Sequence, residues 1–505
     1  MKILRLLLLF PLALLLFACG TDFSTQDSLV KPDSRPEKTD TETVETLVSV
    51  KEDEKDYIVD DADFTDYEVF EEEIEEEPPP PPPPPPVIEI HREWTILVYM
   101  AADNNLESDA ITDFNEMENA DFDESVTVLA LLDRAEKYDA TNDDWTDTRL
   151  YRICRDEQQN KTLIVSEELD CDELCLKSGS QTELDMANPS TLSAFCEFAR
   201  KTYPADNYAL ILWGHGSGWR EAASETELVC GEDSFENRNF RAVAFDNASD
   251  SYMTISQLGK AVFEGMDGEK LALIGFDTCF GMCLESAYEL TDCACYMAGT
   301  PALVPESGWN YTEFLTRFAA GEKSCESMID SIFAQYEKSY GNYAYASFSC
   351  VDLSKIPSFV TQFSDYSFQL ASSINDKAER DRIMKIFTEK AVSYCSASFP
   401  TDFYVDVKSC LSLLAPSSKG TDSLILALDD AVFRSWSASG KTCSLGLFFC
   451  VYRNSSVIQS SHPAMYVNGA REPLLSRFVR DCTGYVPLRD ENVSLLNRLF
   501  YTNFN

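Results

Sequence analysis

Four stretches of this chain are apolar from one end to the other and stop at a small or polar turn. They are WTILVYMAADNNLE (94–107), SVTVLALLDR (125–134), YALILWGHGSGW (208–219) and KLALIGFDTCFGM (270–282). A strand with one wet face alternates polar and apolar residues; a strand apolar on both sides is covered on both sides. Segments of helical period lie between these runs. One follows the first strand and carries Ile111, Phe114 and Met117; another is NPSTLSAFCEFARKTYP (188–204), with Pro189 near its start and Pro204 at its end. This alternation predicts an α/β fold, a mostly parallel sheet with helices on both faces. RLYRI (149–153) alternates and reads as an edge strand.

In such sheets reacting groups gather at the carboxyl ends of the strands. The chain has only three histidines, and His215 stands at one of those ends between Gly214 and Gly216. Cys279 stands at another. A thiol becomes a nucleophile when a base beside it can take its proton. The pair therefore reads as base and nucleophile: His215 removes the proton of Cys279 and later returns it to a leaving amine. The backbone N–H groups of Gly216 and Cys279, the latter read at a helix start, would form an oxyanion hole. A structural histidine and a disulfide-bonded cysteine are the plainer alternative. His91 and His462 have no comparable setting.

Several blocks in order carry a likeness to a known family: WTILVYMAADNNLE, LDR, ELDMANPSTLSAF, YPADNYALILWGHGSGW, IGFDTCFGMCLESAYEL and MAGTPALVPESGWNYTEFL. Together they resemble the clostripain family of cysteine peptidases, caspase-like in fold. The resemblance gives His215 the role of base and Cys279 that of nucleophile. It implies cleavage of peptide or protein substrates after Arg or Lys, with an acid in the pocket that receives the basic side chain. Asp277, two residues before the nucleophile, matches that acid; as a residue type it suits a helix cap equally well. A second family acid commonly precedes Gly-Trp. Here Ser307 stands in that place and Glu306 one position earlier. The motif after the nucleophile also departs from the family, and Cys283 was expected one helical turn beyond Cys279. The resemblance further implies self-cleavage between the two catalytic strands, with Arg220, Arg238 and Arg241 as candidate sites in the acidic segment 220–245. Calcium is a possible requirement; Glu232, Asp233 and Glu236 are acids of that segment but fit no EF-hand loop.

The amino-terminal part has another character. Residues 1–19, MKILRLLLLFPLALLLFAC, have a basic start, an apolar run and Leu-Phe-Ala-Cys, which resembles a bacterial lipobox; in that reading Cys19 is the lipid-bearing residue (palmitate among its acyl chains) of a cell-envelope lipoprotein facing periplasm or exterior, and an ordinary secretory signal is the plainer alternative. Residues 20–92 read as a disordered stalk. Within 20–86, 22 acids face 5 bases, a charge of −17, and the tract ends in nine prolines, Pro78 to Pro86. The whole chain carries −45, which leaves no basic face for nucleic acid. Of 17 cysteines, Cys171, Cys175, Cys293 and Cys295 are candidates for disulfides to distant partners. The peptidase core is expected over 93–320. The region 321–505, with a strand at CSLGLFFCVY (443–452), is expected to extend the sheet or pack on it. The rival function is a surface lipoprotein that keeps the fold as an inactive binding module.

Overall fold

The computed structural model describes residues 91–159, 163–219, 243–394, 404–414 and 420–448, with Leu495 and Leu499. In chain order the elements begin with β1 (Trp94–Ala102), α1 (Glu107–Glu118), β2 (Val126–Arg134), β3 (Thr148–Arg152), β4 (Glu167–Glu168), α2 (Pro189–Thr202) and β5 (Asn207–Trp213). A hairpin of β6 (Val243–Asp246) and β7 (Ser251–Met253) leads to α3 (Ile255–Gly265), β8 (Leu271–Asp277), α4 (Leu284–Glu289) and β9 (Ala294–Gly299). Then come α5 (Tyr311–Ala320), α6 (Cys325–Tyr340), β10 (Ser347–Asp352), α7 (Ile356–Ser373) and α8 (Lys377–Lys385). The last are β11 (Tyr404–Asp406), α9 (Val407–Leu414), α10 (Thr421–Ala431), β12 (Val432–Ser437) and β13 (Gly446–Phe448).

Nine strands form one sheet in the order β12-β10-β9-β8-β5-β1-β2-β3-β4. The centre, β9-β8-β5-β1-β2, is parallel. Both flanks are antiparallel. Every residue of β1 and β2 is buried, as their unbroken apolar runs require. Successive residues of β1 serve opposite faces. Leu97, Tyr99 and Ala101 join the core under α2 and α3, while Trp94, Ile96, Val98 and Met100 join the one under α1, α5 and α6. Truncating such a leucine to alanine costs about 2–5 kcal/mol.

RLYRI is a strand as expected but is not the edge: β4 pairs outside it. The region after 320 adds β10 and β12 to the sheet, and the strand expected at 443–452 begins as β13, which pairs with β11 in a separate ribbon. Cys171, Cys175 and Cys295 are free thiols, which departs from the disulfides considered above; the Cys293 thiol donates to the Gly259 carbonyl at 3.0 Å. Among the described residues no helix is long and apolar enough to cross a membrane.

Candidate active site

β5 and β8 are neighbours with Trp213 opposite Asp277, so His215 and Cys279 each lie two residues past a paired position. Sixty-four positions of sequence separation thus become a step between adjacent strand ends. Gly216 has a specific reason to be glycine: a Cβ there would stand 2.6 Å from the Cys279 carbonyl oxygen and 2.7 Å from Thr278 Cβ. The two strand exits approach backbone to backbone at Gly216 and Cys279.

The histidine is oriented by two neighbours. Its Nε2 lies 2.9 Å from Asn105 Oδ1, and the Phe245 ring meets it edge-on with centroids 6.2 Å apart. With an amide oxygen as the acceptor, Nε2 carries the proton and Nδ1 is left basic. Burial pushes the imidazole down to about 4, so it is neutral at pH 7. Cys279 is half-buried, and its Sγ accepts the Val304 backbone N–H at 3.4 Å. Burial pushes this thiol up to about 11, against the opposing effect of that N–H. Both groups therefore rest neutral at pH 7.

Cys279 is not at a helix start. α4 begins at Leu284, with Cys283 at its N-cap, so Cys283 is not one helical turn from Cys279 either. The reason is local. Phe280 takes a left-handed backbone (φ 57°), and the N–H groups of Phe280 and Met282 donate to the carbonyls of Ala302 and Thr300. The loop after β9, not a helix, takes these donors, so no helix dipole reaches the sulfur. Cys283 is a buried core residue with its Sγ 3.0 Å from Ser286 Oγ. Gly216 and Cys279 still present adjoining backbone, with Gly216 bridged to Val243 on its other side.

Behind the cysteine lies a pair of acids. Asp277 is buried and caps no helix. Its Oδ2 accepts from the Trp309 backbone N–H and from the Tyr311 hydroxyl, each at 3.0 Å, while Oδ1 has no hydrogen-bond partner. Asp113, from α1, accepts the Trp213 indole N–H at 2.7 Å. Gly308 sits between the two: a Cβ there would lie 2.9 Å from Asp277 Oδ2 and 3.0 Å from Asp113 Oδ2. Burial raises the Asp277 carboxyl to about 7. Burial, and then the charge of Asp277, raises Asp113 well above the carboxylate range. Nearer the surface Asp109 is raised by burial and then by Glu306, which is exposed. Asp109 and Glu306 therefore stand as an acidic approach to the buried pair.

Sequence reasoning picked out His215, Cys279, Asp277 and Glu306 but missed Asn105, Asp113 and Val304. Asp113 was hidden in an amphipathic pattern: it sits on the buried side of α1 between Ile111 and Phe114, where a lone acid is itself the signal. Val304 acts through its backbone, which no residue type advertises. His91 pairs with Asp206 on the surface, 3.3 Å away. Cys19, Arg220, Glu232, Asp233, Glu236, Arg238, Arg241 and His462 lie outside the described residues.

A parallel-centred α/β sheet with histidine and cysteine on adjoining strand exits defines the class, and the fold is shared with solved C11 proteases. One is a secreted C11 cysteine protease from Bacteroides thetaiotaomicron, solved with an irreversible peptide inhibitor: TM-score 0.53, 17% identity, covering 77% of this chain and 98% of that one. Another is an inactive zymogen C11 protease from Parabacteroides distasonis: TM-score 0.54, 18% identity, covering 78% and 99%. Clostripain from Hathewaya histolytica is 28% identical over 239 residues, 45% of this chain and 42% of that protein, so the match spans less than half of this relative's length. The model of the clostripain family matches residues 98–467. The chain belongs to the clostripain family.

Proposed function

We propose that this chain is a cysteine endopeptidase that cuts after arginine and lysine. The observation that carries the proposal is the juxtaposition of His215 and Cys279 on paired strands, with Gly216 packed against the Cys279 carbonyl. Nδ1 of His215 takes the thiol proton as the sulfur attacks the scissile carbonyl. A C–S bond forms, the C–N bond breaks, and the imidazolium proton leaves on the amine. Water then attacks the thioester, His215 takes one of its protons, and the thiol is restored as the acid product departs. General-base help of this kind is worth about 10²–10⁴ in rate. Because both partners rest neutral, the proton moves when substrate is bound rather than standing as an ion pair beforehand.

The basic preference rests on the acids. A guanidinium or ammonium entering past Asp109 and Glu306 toward Asp277 and Asp113 meets carboxylates held in a dry site, where a charge-assisted contact is strong. The amino-terminal sequence supports export and a lipid anchor on Cys19, which would place the enzyme in a cell envelope. Arg220, Arg238 and Arg241 fit the enzyme's own preference and are the positions at which it would process itself. The inactive-module reading would have been favoured by a disulfide at Cys279, but that thiol is free.

The test is turnover of Arg-, Lys- and Leu-peptidyl reporter amides by the wild type and Cys279→Ala, with mass spectrometry of the mature chain. The proposal expects cleavage of the two basic reporters, internal cuts within 220–245, and loss of both in the variant. If the wild type ignores basic reporters while a thiol-reactive peptide with another P1 residue labels Cys279, the pocket assignment falls and the peptidase stands.

A further inference from the structure

The ribbon of β11 and β13 comes from the region after 320, far along the chain from both catalytic strands, yet it lies against the exits of both. Tyr404 pairs with Phe448, Val405 with Leu447 and Asp406 with Gly446 across the ribbon. Gly446 also bridges to Cys283, and its N–H donates to the Met282 carbonyl at 2.9 Å. Tyr404 reaches further. Its hydroxyl donates to the Ser217 carbonyl at 2.8 Å, and its ring stacks on that of Phe280, with centroids 5.2 Å apart and planes inclined by 25°. Ser217 stands two residues beyond His215, and Phe280 is next to Cys279. One side chain therefore touches the loop that carries the base and the loop that carries the nucleophile.

The fit around this side chain is close. Gly218 has a φ of 75°, and a Cβ there would lie 2.7 Å from Tyr404 Cζ and 3.0 Å from the Phe280 carbonyl oxygen, so the two loops and the tyrosine meet with no room for another side chain. Phe280 holds a left-handed backbone, φ 57°, which a bulky residue keeps only where its surroundings impose it. Ala302 takes its N–H, and Tyr404 takes its ring. The ribbon that delivers the tyrosine is itself pinned. Asp406 Oδ2 accepts from the Tyr394 hydroxyl and from the N–H and hydroxyl of Ser444, each at 2.7 Å, while Oδ1 accepts the Ser409 N–H at 2.6 Å. The Tyr404 carbonyl accepts the Tyr394 N–H at 2.8 Å. A buried network with these partners filled holds its members in one arrangement.

We propose that Tyr404 is a positioning residue of the peptidase: its hydroxyl fixes the His215 loop through the Ser217 carbonyl, and its ring fixes the Cys279 loop through Phe280, so that one buried side chain sets the base and the nucleophile against each other. Tyr404 is 1% exposed and acts through these loops, not on substrate. The two contacts divide the work. The hydrogen bond governs the backbone just past Gly216; the stack governs the direction in which the chain leaves Cys279. Small displacements of reacting groups are costly in rate, so a tie this near both of them is felt in the chemical step more than in substrate binding. The region after 320 thereby completes the catalytic unit as well as widening the sheet.

The kinetic arm of the test rests on the proposed function; the exchange arm does not. Tyr404→Phe keeps the stacked ring and removes only the hydroxyl. On an Arg reporter it should lower kcat about tenfold with KM nearly unchanged. Tyr404→Leu removes the stack as well and should lower kcat about 10²-fold; if that variant fails to fold, Tyr404→Phe carries the test. Tyr394→Phe loosens the same ribbon at Asp406 but touches neither loop, and should leave kcat nearly unchanged. An equal fall in Tyr394→Phe, a loss in Tyr404→Phe that appears in KM alone, or wild-type kcat in Tyr404→Phe overturns the positioning role. Hydrogen exchange of the full chain, read by mass spectrometry on peptides covering 214–219 and 279–284, needs no turnover. Tyr404→Phe should speed exchange several-fold in 214–219, and Tyr394→Phe should not. Unchanged exchange in Tyr404→Phe overturns the tie between the loops. If the wild type turns over no reporter while Tyr404→Phe still speeds exchange in 214–219, the peptidase reading falls and the tie stands.

Discussion

Two groups of acids stand on the same rim of the sheet, and they are stabilised in different ways. Asp277 and Asp113 are sealed in, and neutral donors meet them: the Trp309 N–H, the Tyr311 hydroxyl and the Trp213 indole. Asp103 and Glu183 line an open cleft while Asp133 and Asp246 are buried, and Asp133 Oδ2 has no hydrogen-bond partner, as Asp277 Oδ1 has none. Neutral donors lower the cost of a buried carboxylate, yet burial still raises both acids, and a cation entering beside them would favour their ionised forms. The second group meets neutral donors too, the Ala248, Met186 and Ser249 N–H groups and the Thr148 hydroxyl, but spread over four acids instead of two. Burial, and then the charges of Asp103 and Asp246, push Glu183 up to about 7. The lesson is that acids on one rim are met differently: one pair is enclosed by neutral donors, the other group opens in part on solvent.

The comparison breaks most clearly at Asp277. Asp277→Asn should lower kcat/KM on an Arg reporter about 10²-fold or more, while a Leu reporter changes little. An equal loss on both would mean that Asp277 supports the fold rather than the pocket. Asp113→Asn should cost about tenfold on the Arg reporter, and the double variant should lose less than the product, because the two acids share one electrostatic environment.

The pH dependence sharpens the contrast. Asp277 has a folded value of about 7 against 3.8 for an ordinary aspartate, so it is neutral below about pH 7. The specificity constant for Arg substrates should therefore rise through that pH, whereas alkylation of Cys279 by an uncharged reagent should not follow the same curve. Stability runs the other way. The folded state binds the extra proton between pH 3.8 and 7, so this group's contribution falls as pH rises through that window. Asp277→Asn should melt a few degrees higher than wild type at pH 8 and close to it at pH 4. The smallest effect is expected at Asn105, whose Oδ1 lies 2.9 Å from His215 Nε2. Asn105→Ala should reduce kcat about fivefold with KM unchanged, the size of one orienting hydrogen bond.

Much of this was legible in the residues. Runs such as VTVLALLD and LALIGFD can be buried on both sides only in a covered parallel sheet, and His215 and Cys279 stood where such strands stop. The flanks were less legible. β4 has two residues, too short for any period to show, so RLYRI read as the edge. FGMCLESAYEL has helical spacing, which predicts a helix start at the turn after Cys279, whereas the helix begins at Leu284. Tertiary donors from Phe280 and Met282 to the loop at 300–302 override that local preference. The acid groups depend on contacts across long sequence separations, such as Asp113 with Trp213 and Met186 with Asp246, which no local pattern encodes.

The most direct measurement is labelling and turnover at Cys279. In wild type, a peptide ending in Arg with a thiol-reactive warhead should modify Cys279 alone among the described cysteines. Cys279→Ala should lose at least about 10⁴-fold in kcat on the matching reporter, as expected when a covalent nucleophile is removed. Labelling of another cysteine, or a Cys279→Ala protein that still turns over at the wild-type rate, would contradict the pairing of His215 with this thiol.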